Sequence, residues 1–166
     1  MRKVISIIVC AVIAIVAGGL IIVNRRNAAA NDVLAAARQL EFTVNDRQLI
    51  YDYDESGDHY VTFDTQMKRK NGDVFDRTYS GIEFADILKD LGIEITDDMT
   101  VTAVCGDSYE IELTAEEILN PGNVYLVIKE NDEELDEESG PFMLVVNYDE
   151  FSTRWAKNVV KITVNE

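Results

Sequence analysis

Histidine, tryptophan, cysteine and proline are nearly missing from this 166-residue chain, which has one His, one Trp, two Cys and two Pro. A lone histidine, His59, excludes a His-based metal triad. A Ser-His-Asp arrangement would need a Ser and a carboxylate to converge on it, and no nucleophile-elbow motif supports that. The two cysteines cannot staple the fold, because Cys10 falls inside a long apolar run and leaves Cys105 alone. Stability must come from a hydrophobic core. Internal repeats, glycine-rich phosphate loops and paired-Cys zinc spacings are absent as well. Positive charge is scarce, with 15 Lys and Arg against 31 Asp and Glu.

What the chain does have begins with a run of 20 uncharged residues, Val4 to Val23, between Arg2 and Lys3 on one side and Arg25 and Arg26 on the other. That length is enough to span a bilayer. A cleaved signal peptide is the competing reading, since Ala28 to Ala30 offers a cleavage-like A-x-A pattern. The run is longer than the usual signal core of roughly 7–15 residues, and Arg25 and Arg26 sit where a signal should be uncharged. Both facts favour a retained anchor. Basic flanks on both sides leave the positive-inside bias nearly balanced, but a very short N-terminus favours a C-terminal domain outside the cytoplasm. The expected organisation is an anchor or signal segment over 1–26, a juxtamembrane helix and linker over 27–47, and one globular domain over 48–166. The expected location is the cell membrane, single-pass.

Setting aside the four flanking basic residues, eleven Lys and Arg face 31 Asp and Glu, a net charge of −20. Such a surface repels nucleic acid and anionic lipid. The basic stripe that displaces counterions from phosphates is missing, apart from the short Lys68-Arg69-Lys70 run.

Along the domain, Asn31 or Asp32 can cap a helix carrying Val33, Leu34, Ala37 and Leu40 at helical spacing. Leu49 to Tyr51 and His59 to Phe63 flank Glu55-Ser56-Gly57-Asp58 as two strands around a turn. Asn71-Gly72 signals a second hairpin, with arms Thr65 to Lys70 and Val74 to Tyr79. Ser80-Gly81-Ile82-Glu83 offers a capping box before Phe84, Ile87, Leu88 and Leu91, a helix ending at Gly92. Strands are expected at Thr100 to Cys105 and Tyr109 to Leu113, then a second capping box, Thr114 with Glu117, and a helix stopped by Asn120-Pro121-Gly122. Val124 to Ile128, Phe142 to Val146 and Val159 to Val164 complete the strands. The class is α+β, strand-dominated mixed sheets with short helices.

Asp52-x-Asp54-x-Ser56-Gly57-Asp58 matches the start of a calcium loop, but Phe63 occupies the position of its terminal bidentate Glu. A polar turn is the plainer reading, and calcium remains open for a domain outside the cytoplasm. The run Glu130 to Glu138 reads as a solvated loop, Cys105 as a buried small hydrophobe, His59 as a surface or hairpin packing residue, and Trp155 as packed on the core.

Four stretches carry a family likeness. Tyr79 to Leu88 with Gly92-Ile93, Val101 to Leu113 with Asp107 and Tyr109, Val124 to Val146 through Gly140-Pro141, and Arg154-Trp155-Ala156-Lys157 occur in the order of the molybdopterin-binding domain of the sulfite oxidase type. The chain resembles its small secreted or membrane-anchored bacterial members over Leu49 to Glu166, which implies that fold and, in catalytic members, oxidoreductase chemistry on a cysteine-ligated molybdenum. That cysteine would lie upstream of the Ser80–Leu91 helix, within Phe63 to Arg77, where this chain has none. Cys105 is downstream and does not inherit the role. For contacts to a pterin phosphate, the resemblance leaves Arg154, Lys157 and Arg77. The expected function is therefore a non-catalytic ligand-binding or interaction module that needs no cofactor. One alternative is a molybdopterin-binding oxidoreductase with a non-cysteine metal ligand, and the other is a structural partner in a cell-envelope complex.

Overall fold

The computed structural model describes residues 28–36 and 38–165. The Val4 to Val23 run and its basic flanks lie outside the described residues. Among those described, no helix is long and apolar enough to cross a membrane. The chain divides into a unit ending at Val33 and a compact unit over Leu34–Glu166, and the architecture is that of the second.

A helix, α1, covers residues 28–36. It begins before Asn31 and Asp32, so neither caps it, and it stops short of Leu40. Leu40 instead lies in strand β1, Gln39–Val44, whose alternate residues Leu40 and Phe42 are buried. The helical spacing of Leu40 was a coincidence of two periods: a residue two positions from Phe42 fits a half-buried strand equally well.

Among the described residues, ten strands form two five-stranded sheets. The first runs β2 (Arg47–Asp52), β1, β10 (Val159–Asn165), β5 (Thr100–Cys105), β6 (Glu110–Thr114). It is mixed, since β1 lies parallel to β10 while the other pairs are antiparallel. The second runs β3 (Tyr60–Lys68), β4 (Val74–Glu83), β7 (Val124–Glu130), β8 (Glu133–Glu134), with β9 (Met143–Val146) also on β7. All its pairs are antiparallel. Strand-dominated mixed sheets with few short helices are as the sequence leads one to expect.

Two local expectations fail for tertiary reasons. The segments flanking Glu55 to Asp58 are strands, yet they do not pair with each other: β2 joins the first sheet and β3 the second. Tyr53 sits at the passage, donating its hydroxyl to the Leu126 carbonyl at 2.9 Å while its backbone N–H reaches Arg38 O. The Ser80–Glu83 capping box does not form either. Strand β4 continues to Glu83, because Ile82 pairs with Tyr60 on one side and Leu126 on the other, and two ladders outweigh one cap. Ser80 Oγ meets Thr62 Oγ1 at 2.8 Å, and Glu83 accepts the N–H of Gly122 at 2.6 Å. The helix that follows, α2 (Phe84–Asp90), buries Phe84, Ile87 and Leu88 and turns off at Gly92, whose φ is +70°.

The other signals hold. Asn71-Gly72 turns β3 into β4 with Gly72 at φ +95°. Thr114 and Glu117 make the reciprocal capping box of α3 (Ala115–Leu119). One hydrophobic cluster draws on both sheets and on α2 and α3, with Phe42 stacked on Phe84 and Tyr53 tilted on Phe142.

Candidate functional site

The basic residues singled out for an anionic cofactor are each taken by carboxylates. Arg154 closes the 3-10 turn Ser152–Arg154. Its guanidinium donates to both oxygens of Asp149 and to Glu117, and also to the Glu112 carbonyl. Hydrogen bonds to Asp149 and then Glu117 raise its pKa further. Burial alone would raise the Glu117 carboxyl, but the bonds from Arg154 and Thr114 hold it below its ordinary value. Lys157 pairs with Glu138 at 2.8 Å. Arg77 pairs with Glu130 at 2.7 Å and lies over the Phe75 ring. Three cations with three different sets of carboxylate partners form no common anion pocket.

Clefts tell the same story. One, about 760 Å³, is lined by Asp97, Glu116, Leu119, Asn120 and Pro121, with no cation among the described residues of its wall. Arg77 lines another of about 500 Å³, together with Asp64 and Asp76, so acid outnumbers base there. A third, about 490 Å³ beside α2, is mostly apolar, with Ile93, Ile95 and Leu119 and only Lys89 as a cation. A phosphate bound without convergent Arg or Lys forgoes the charge-assisted bonds that make such sites strong.

Sulfur is equally misplaced for metal ligation. The segment Phe63 to Arg77 forms the β3–β4 hairpin and contains no cysteine. Cys105 is 4% exposed at the end of β5. Burial, helped by Asp107, pushes its thiol up to about 11, away from the thiolate that binds metal. The residues present do not fit a thiolate-ligated molybdenum pterin.

Asp52, Asp54, Ser56 and Asp58 are not gathered around a centre. Asp52 accepts a bond from Gln39. Asp54 Oδ1 accepts from both the N–H and the hydroxyl of Ser56, an Asx turn that lowers the Asp54 pKa, while Asp58 is exposed. Among the described residues no group of three or more His, Cys, Asp or Glu side chains is placed to hold a metal ion.

Trp155 packs as expected: it is 8% exposed, donates its indole N–H to Val146 O at 2.9 Å and meets Tyr79 edge-on. His59 does more than pack, since its Nδ1 lies 2.9 Å from Asp86 on α2. Sequence reasoning also missed Glu55, which faces Arg38 and Lys129 together. No local pattern could have found it, because Lys129 is 74 positions away.

A family model for the oxidoreductase molybdopterin binding domain matches residues 34–166. A search of curated proteins finds no match. Among solved structures, the sulfane dehydrogenase SoxCD from Paracoccus pantotrophus is similar, with a TM-score of 0.62 and 15% identity. The likeness covers 76% of this chain and 38% of that one, and at this identity it shows the fold alone.

Proposed function

The chain belongs to the oxidoreductase molybdopterin-binding domain family, and from that premise we propose that it is a non-catalytic member. In this reading it is a ligand-binding or interaction module, held outside the cytoplasm by the Val4 to Val23 segment. The observation that carries the proposal is the position of its sulfur. The hairpin where the family resemblance expects the metal thiolate has none, and Cys105 is sealed in apolar surroundings that favour the neutral thiol. The engaged cations add to it: Arg154, Lys157 and Arg77 each already face a carboxylate, which offsets the positive charge a phosphate would need.

The test is elemental analysis of the full-length chain purified from a host that synthesises and inserts the molybdenum cofactor, with calcium counted in the same run. The expected result is no stoichiometric molybdenum. Near-stoichiometric molybdenum would overturn the proposal and require an oxygen donor in place of sulfur. Stoichiometric calcium would revive the Asp52 loop as a site and name the ligand.

A further inference from the structure

The acidic average of the domain hides one exception. Six of the eleven Lys and Arg in the described residues stand in ion pairs with carboxylates. Of the five that do not, Lys68, Arg69 and Lys70 are consecutive and exposed at the turn between β3 and β4. The same tip exposes two apolar side chains, Val74 at 53% and Phe75 at 36%. Val74 lies opposite Lys68 in the ladder, and the Phe75 ring has Arg69 4.9 Å from its centroid and Arg77 at 5.7 Å. Asp73 is the one acid in the turn, and its carboxylate accepts the Asn71 amide at 2.8 Å. Cations above an aromatic ring with an aliphatic neighbour suit an apolar–aqueous boundary, where the ring enters and the charged heads stay at phosphate level.

The tip is the part of the ribbon farthest from β7. Strand β7 pairs with β4 only from Tyr79 onward, so the rungs from Asp64–Thr78 to Lys68–Val74 are a two-stranded ribbon. Five residues of strand carry the turn roughly 17 Å beyond the last rung that β7 shares. Two side bonds brace the ribbon, Thr65 to Asn147 and the Lys68 N–H to Ser152 Oγ. We propose that this tip docks on the anionic phospholipid headgroups of the bilayer that anchors the chain, a choice of partner that rests on the anchored reading above. A planar surface touched by the tip alone meets its cations first. A nucleic acid lying along the domain, or a second copy, would meet the net charge of −20. Tethering makes a weak contact sufficient, because it turns docking into an intramolecular event.

The test is amide hydrogen exchange of the full chain reconstituted in phosphatidylcholine bilayers, with and without phosphatidylglycerol. Protection of residues 68–76 should appear only with the anionic lipid, fall as salt is raised, and vanish when Lys68→Ser, Arg69→Ser and Lys70→Ser are combined. Each single change should weaken the contact about fivefold. Val74→Ser, which leaves all charge in place, should weaken it too. Equal exchange in both lipids overturns the proposal, as does protection that survives the triple change or that grows with protein concentration instead of lipid charge. Alkaline carbonate extraction of the same membranes tests the anchor separately. A chain that is extracted but still floats with anionic vesicles loses the anchor and keeps the tip.

Discussion

Strand β9 and strand β3 belong to the same sheet and are built on opposite plans. All four residues of β9 are buried, and the neighbouring β7 contributes Val124, Leu126, Val127 and Ile128 to the same core. None of the nine residues of β3 is fully buried, and its outer half has only β4 as a strand neighbour. The difference separates stability from surface chemistry. The centre is apolar and joins the core to which Cys105 of the other sheet also belongs, while the ribbon carries polar and charged side chains in the stretch where the family resemblance expects the metal ligand. A fold kept by its core is free to change what it displays at such an edge.

The sharpest way to break that comparison is to cut equally small pieces from both regions. Leu126→Ala removes a fully buried side chain and should cost about 2–5 kcal/mol by denaturant unfolding. Gly81→Ala tests how closely β4 and β7 approach at the register shift between Ser80 and Gly81. An added Cβ would fall 2.4 Å from Leu126 O and 2.8 Å from Val127 Cα. Both are backbone atoms, so the sheet must shift, and a loss of about 1–3 kcal/mol is expected.

An effect silent at neutral pH comes from the buried titrating groups. Burial raises Cys105 from an ordinary value of 9.0 to about 11, and raises Tyr51 and Tyr79 from 10.0 to about 12. A raised value means the folded state holds its proton after the unfolded chain has released one, so stability is complete below pH 9 and declines as pH climbs through 9–12. Unfolding titrations across that range should show the loss, and Cys105→Ala should remove its earliest part. A flat profile would mean these groups are open to solvent. Smallest of all, Val74→Ser on the ribbon should move stability by no more than about 0.5 kcal/mol. A loss as large as that of Leu126→Ala would show the tip to be part of the core after all.

Much of this was legible in advance where the cause is local. Asn71-Gly72 forced its turn, Thr114 and Glu117 closed their box within one helical turn, and the burial of Cys105 and Trp155 followed from their strand context and apolar bulk. The Ser80 box was misread because the same four residues serve equally well as the end of a strand once β3 and β7 lie on either side. The candidate site was the least legible part. That Arg154, Lys157 and Arg77 are basic is written in the chain, but that each meets its own carboxylate depends on partners 5 to 53 positions away.

The sequence by itself determined the strand-rich class, the order of segments that marks the family, the absence of a cysteine in the expected stretch and the excess of acid, because composition and short-range periodicity need no third dimension. Only the tertiary structure decided that neighbouring β2 and β3 part into different sheets and that β1 runs parallel to β10 at the far end of the chain. It alone set the cations against carboxylates and left Lys68, Arg69 and Lys70 outside those ion pairs. Pairing partners and charge neighbours are long-range facts, fixed by which apolar faces bury each other and not by any residue's own preference.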